Sequence, residues 1–185
     1  LGHLVLWGLT EPVMPWCSDG PDEVELGGAM DTNLSDWADR THAQGGTVVV
    51  AHFPNPNGEP AVLVATGRAD AVEMLAQSDD ALLEYYRYLN TGYRLPLVGG
   101  TDKMSNGVPV GLYRTYAKLA DDEELTYDGW CRAVRSGRSF LFGGPLLSLT
   151  VEGREPGDTI ELSGPGTATI DAAVTSIFPR RTLQV

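Results

Sequence analysis

The stretch Thr47-Val-Val-Val-Ala-His52-Phe-Pro54 decides the fold. Four successive β-branched residues lose less in a pleated strand than in a helix. A strand apolar at every position, instead of every second one, must be covered on both faces, and that is the habit of parallel sheets flanked by helices. The flanking sequence agrees. Upstream, Asn33 offers an N-cap to a helix in which Leu34, Trp37, Ala38 and Thr41 recur at helical spacing and which stops at Gly45 and Gly46. The apolar run 4–9, bounded by glycines, is too short for a normal helix and reads as a buried strand. Downstream come a short helical segment over 61–66, a strand over 69–75 (ADAVEML), and a helix capped by Ser78 or Asp79 that runs to Gly92. A strand over 95–98, a helix from Thr126 to Gly137 and a strand over 139–142 complete the alternation.

That alternation predicts an α/β domain with a parallel sheet and helices packed outside it, either open or closed into a barrel. From Pro145 the pattern changes to short segments, 147–151, 159–162 and 167–174, separated by EGREPGD and SGPG, which is antiparallel β chemistry. Residues 1–144 are therefore expected to form one unit and 145–185 the start of a β-sandwich-like appendage. About five strands precede the boundary, whereas a complete barrel has eight or so over about 250 residues. The first unit is expected to be the later portion of a barrel. The chain opens on Leu1 inside a strand-like stretch, as a piece excised from a longer protein would.

Composition narrows the function. The 185 residues carry 13 basic and 25 acidic side chains, a formal charge of -12, and no basic run stands out along the sequence, so nucleic acid is not an expected partner. No apolar run reaches the roughly 20 residues that span a bilayer, and no signal peptide opens the chain. Cys17 and Cys131 fit neither a zinc ribbon nor a disulfide framework, which makes a reducing, cytoplasmic setting the expectation.

Candidate chemistry gathers at strand ends. His52 and Asp102 each follow an apolar strand directly, and in parallel α/β architecture such positions share the carboxyl edge where ligands sit. His3 precedes its strand, so a parallel strand would carry it to the opposite edge. Two imidazoles and a carboxylate suit a divalent Zn, Mn or Fe ion, which lowers the pKa of bound water and polarises an ester or phosphoryl oxygen.

Gly2-His3 ahead of an apolar run, Ala51-His52-Phe53-Pro54, and Gly99-Gly100-Thr101-Asp102, in that order, resemble the GH, AHP and GSD motifs of the PHP (polymerase and histidinol phosphatase) superfamily. The stretch from Tyr86 to Asp102, with Ala133 to Leu141 and Gly143-Gly144-Pro145, resembles more closely its CehA/McbA-type metallohydrolases. The resemblance covers nearly all of residues 1–150. It implies a distorted (β/α)7 barrel, here its later part, with two or three zinc, manganese or iron ions. The implied activity is a hydrolase of carboxylic esters, carbamates or phosphoesters that uses metal-bound hydroxide. It also implies that His3, His52 and Asp102 bind metal, with His52 and Asp102 catalytic and a small molecule as substrate.

Two departures from the family pattern bear on activity. The earlier His-x-His pair and an acidic ligand are absent from this sequence. In addition, Thr101-Asp102-Lys103-Met104 sets a methionine where the family has a histidine. A thioether is a poor ligand for zinc or manganese, and Lys103 could stand where a metal otherwise would. The alternative expectation is thus a catalytically degenerate PHP-like binding or structural module, and a third is that the appendage binds saccharide or peptide.

Among the remaining residues, Glu73 lies in an apolar strand and must be paired, protonated or metal-associated, with Arg68 or Arg94 as plausible ion-pair partners. His42 reads as a helix-surface or packing residue, and Tyr85, Tyr86 and Tyr88 as helix packing. Cys17 belongs to a loop expected to face the substrate without a covalent role, and Asn55 or Asn57 could meet a ligand at the rim.

Overall fold

A computed structural model describes residues 2–15, 32–54, 59–74, 79–179 and 182–183. At its centre, β1 (Leu4–Trp7), β2 (Thr47–Val50), β3 (Ala71–Glu73) and β4 (Leu97–Val98) form a sheet in that order. The pairs β2–β3 and β3–β4 are parallel. β1 is antiparallel to β2, with Leu4 opposite Val50 and Trp7 opposite Thr47.

The continuously apolar Thr47-Val-Val-Val run follows from coverage on both faces. Val48 and Val50 join a core with residues of three helices, α1 (Leu34–His42), α2 (Pro60–Ala65) and α3 (Asp79–Asn90). Val49, one residue out of phase, joins Ala71, Val98 and Val134 in a second core, with Val134 supplied by α4 (Tyr127–Arg135). Alternate side chains of a strand point to opposite faces, so three helices cover one face and α4 the other.

Local signals set the helix ends. Asn33 Oδ1 accepts from the Ser35 and Asp36 N–H groups while Asp36 Oδ2 accepts from the Asn33 N–H, a complete capping box. The face buried is the predicted one: Leu34, Trp37, Ala38 and Thr41. Gly46 closes the turn into β2 under steric compulsion, since a Cβ there would lie 2.7 Å from Thr41 Cγ2 and 2.9 Å from the Trp7 carbonyl oxygen. Thr126 caps α4 by accepting from the Gly129 N–H.

Several expectations need correction. A strand not foreseen, β5 (Arg114–Ala117), pairs antiparallel with β6 (Ser139–Phe142) beside β4, where the Thr115 hydroxyl bonds both N–H and C=O of Gly99. The sheet is not uniformly parallel. Residues 159–162 form no strand, and the Thr159 hydroxyl accepts instead from Arg94. β7 (Leu146–Val151) and β8 (Ile170–Thr175) pair only with each other. The architecture is mixed α/β, and its sheets are small and open, with no barrel closure among the described residues. Among those residues, no helix is long and apolar enough to cross a membrane.

Two adjacent residues of α2 test which face is packed. Leu63 is 0% exposed and Val62 52%. Leu63→Ala is expected to lower the unfolding free energy by about 2–5 kcal/mol, and Val62→Ala by no more than about 0.5 kcal/mol. Urea titration of both variants checks this, and equal midpoints would contradict the packing described.

Candidate functional site

The antiparallel direction of β1 resolves the position of His3. Because β1 runs opposite to β2, the start of β1 lies at the edge where β2, β3 and β4 end, and the Ala51 N–H donates to the His3 carbonyl oxygen at 3.2 Å. The two imidazoles meet: His52 Nε2 stands 3.2 Å from His3 Nδ1, with ring centroids 5.2 Å apart. Residues forty-nine apart in sequence thus share one corner of the sheet.

His52 is held there in an unusual backbone conformation. Its φ is 54°, in the left-handed region that L-residues other than Asn, Asp and His rarely visit. Such a turn costs on the order of 1–3 kcal/mol and persists only where its surroundings over-determine it. Glu73 supplies that constraint from β3. The His52 N–H donates to Glu73 Oε2 at 2.9 Å, and the Phe53 N–H donates to the Glu73 carbonyl oxygen at 2.8 Å. The same Oε2 lies 3.9 Å from His52 Nδ1.

Glu73 is 7% exposed, so its carboxylate must be compensated where it stands. The two arginines considered for it are engaged elsewhere: Arg68 pairs with Asp39 at 2.8 Å, and Arg94 donates to Thr159. Its described partner is the His52 turn. From the other side Gly100 leaves room for it, because a Cβ on Gly100 would lie 2.8 Å from Glu73 Oε1. The glycine preceding Thr101 and Asp102 is therefore a steric requirement of the carboxylate on the neighbouring strand.

Asp102 follows β4 on the same edge and also has a positive φ, 44°. Its side chain is exposed. Among the described residues, no three His, Cys, Asp or Glu side chains converge closely enough to form a metal-binding group. Lys103 donates to the carbonyl oxygens of Ser105 and Val108 at 2.7 Å each. Met104 is 83% exposed.

His42 plays a structural part. Its Nε2 is 2.8 Å from Asp70 Oδ2, which also accepts from the Val48 N–H at 2.7 Å. Cys131 is buried, and burial pushes its thiol pKa up, which removes the thiolate a nucleophile needs. Cys17, Asn55 and Asn57 lie outside the described residues.

Glu73 was legible as a buried acid, but its role as the clamp on His52 was not. That role depends on the β2–β3 register, which sets Val50 opposite Val72 and so brings His52 beside Glu73. Compared with protein-family models, curated proteins and solved structures, the chain matches none.

Substituting Gly100 tests the clamp. Gly100→Ala is expected to displace the Glu73 carboxylate, destabilise the protein by about 1–3 kcal/mol and move the His52 imidazole resonances. Gly164→Ala, with nothing within 4 Å of the added Cβ, is expected to do neither. NMR spectra and urea midpoints of the two variants decide the matter, and an undisturbed His52 signal in Gly100→Ala would refute the clamp.

Proposed function

We propose that the chain is part of a metal-dependent hydrolase of the PHP superfamily, close to its CehA/McbA-type members, acting on an ester, carbamate or phosphoester bond of a small molecule. The observation that carries this reading is the 3.2 Å separation of His52 Nε2 and His3 Nδ1. Two nitrogens each about 2.0–2.1 Å from a tetrahedral Zn²⁺ stand about 3.3–3.4 Å apart. The imidazole pair therefore fits one edge of a coordination shell. A divalent ion held there supplies a Lewis acid and a bound water of lowered pKa, which is what hydrolysis at neutral pH requires.

The chain's own residues have separate tasks in this reading. His3 and His52 hold the ion, and Asp102 offers a further carboxylate from the end of β4. Glu73 is a positioning residue. It fixes the His52 turn through the backbone N–H and places a negative charge behind the ring, the kind of outer partner that commonly orients a metal-bound histidine. The four-stranded sheet would be an arc of the family's distorted (β/α)7 barrel. In a closed barrel α4 would have to yield the face it covers here to further strands.

A second reading has a specific observation in its favour. Met104 stands exposed where the family has a histidine, and Lys103 is tied to loop carbonyls. A catalytically degenerate module that keeps the imidazole pair but binds its ion weakly would look the same.

Equilibrium dialysis against Zn²⁺ and Mn²⁺, followed by metal analysis, separates these cases from a purely structural pair. The unsubstituted protein is expected to bind the ion, His3→Ala and His52→Ala to weaken binding at least tenfold, and Asp102→Ala to weaken it as well. Metal content unchanged by all three substitutions would defeat the assignment. Turnover of chromogenic carboxylic-ester, carbamate and phosphoester substrates by the loaded protein, lost in His52→Ala, supports the hydrolase. For the degenerate module, Met104→His is expected to raise metal affinity and to create hydrolysis where none was measurable.

A further inference from the structure

Near the edge of the sheet opposite His3 and His52, several basic side chains gather. Arg94, Lys118, Arg132, Arg135 and Arg138 form no basic run in the sequence, yet the fold brings them around two adjoining cavities of about 930 and 640 Å³. The cavities share Arg135, Ser136, Gly157 and Asp158. Arg135 donates to the hydroxyl of Thr47, the first residue of β2, which fixes this place at the amino edge of the sheet. At about 3.3 Å per residue, the length of β2 and its turn sets it roughly 16 Å from His52.

Two of these cations are neutralised locally. Lys118 Nζ donates to Glu155 Oε1 at 2.6 Å, and Arg132 pairs with Glu123 at 2.8 Å and also with Asp128. The other three are not. Arg94 meets only the neutral Thr159 hydroxyl and Arg135 only that of Thr47, while the Arg138 side chain makes no hydrogen bond or ion pair among the described residues.

The acids of the lining, Asp70, Glu123 and Asp158, each accept a hydrogen bond from a group other than these three arginines. Asp70 Oδ2 is held by His42 and the Val48 N–H, Asp158 Oδ2 accepts from the Glu155 N–H, and Glu123 is taken by Arg132. In a chain with 25 acidic and 13 basic side chains, Arg94 and Arg135 line the larger cavity and Arg135 and Arg138 the smaller, and none of the three forms an ion pair among the described residues.

A helix terminus explains only part of the cluster. Arg132 and Arg135 occupy the last turn of α4, where cations offset the carbonyl end of a helix. Arg138 lies beyond the helix, and Gly157 fixes the path of its stem: a Cβ there would fall 2.8 Å from Arg138 Cγ and 2.9 Å from the Ser136 carbonyl oxygen. Its charge reaches both neighbours. It adds to the lowering that Arg132 imposes on the Glu123 carboxyl, and it opposes the rise that Glu155 produces at Lys118.

We infer that this cleft, between the end of α4 and the turn containing Gly157, binds the oxyanion group of a small molecule, a phosphate or a carboxylate, through the guanidinium forks of Arg135 and Arg138. Guanidinium presents donors in a planar array that matches both groups bidentately. The cavity sizes suit a metabolite of ordinary dimensions. The exposed Arg94 on the wall of the larger cavity can meet a second anionic or hydroxyl group of the same molecule.

The test is a titration of the protein at low ionic strength with inorganic phosphate and, separately, with succinate, following the arginine Nε–Hε resonances. Saturable shifts are expected with at least one probe. Arg138→Gln, an exposed change that should leave the melting temperature in place, is expected to weaken binding about tenfold or more, and Arg87→Gln on α3 to have no effect. Phosphate alone, succinate alone or both would assign the oxyanion class. Non-saturating shifts with both probes, or equal affinity in Arg138→Gln, would overturn the inference. Zn²⁺ binding at the other edge should be unchanged in Arg138→Gln.

Discussion

The candidate site depends on one buried carboxylate. Glu73 holds the left-handed His52 turn by accepting its backbone N–H, and its own carbonyl oxygen takes the next N–H along the chain. Without that pair of bonds, a non-glycine residue with φ of 54° would relax toward ordinary strand geometry, and the imidazole would swing away from His3. The cost of burying the acid is offset by what it organises, and Gly100 is the concession made on the neighbouring strand. Three adjacent strand ends are thereby coupled: β2 through His52, β3 through Glu73 and β4 through Gly100.

The direction of β1 is the second constraint. A parallel first strand would have carried His3 to the arginine-lined edge, far from His52. Its antiparallel pairing reverses that and sets two imidazole nitrogens side by side. The same four strands therefore hold the imidazole pair at one end, with the arginines gathered near the other. Strand direction places the imidazoles, whereas α4 and the loops around it supply the arginines.

Much of this was legible from the chain. The Thr47-Val-Val-Val run announced a strand covered on both faces, and the α1 positions that the periodicity picked out are the ones buried, because capping and hydrophobic spacing are local properties. What escaped was non-local or weakly patterned. β5 is four residues long with alternate exposure and carries no run of apolar residues; its partner β6 lies beyond α4. Residues 159–162 read as a strand from their composition but find no partner, and an unpaired strand has no ladder to stabilise it. Lys103 and Met104 were assigned by position in a motif, whereas in the fold Lys103 bonds the carbonyl oxygens of its own loop and Met104 is exposed. Arg132, Arg135 and Arg138 recur at three-residue spacing in the sequence, but their meeting with Arg94 and Lys118 around the cavities depends on the packing of α4 and the Gly157 turn.

His3 and His52 are proposed to share one ion. X-ray absorption at the zinc edge of the Zn²⁺-loaded protein addresses this directly. The account predicts two imidazole scatterers with nitrogens near 2.0–2.1 Å, roughly the zinc–histidine distance, one of which disappears in His3→Ala. A spectrum with no imidazole contribution, or one that His3→Ala leaves unaltered, would contradict it.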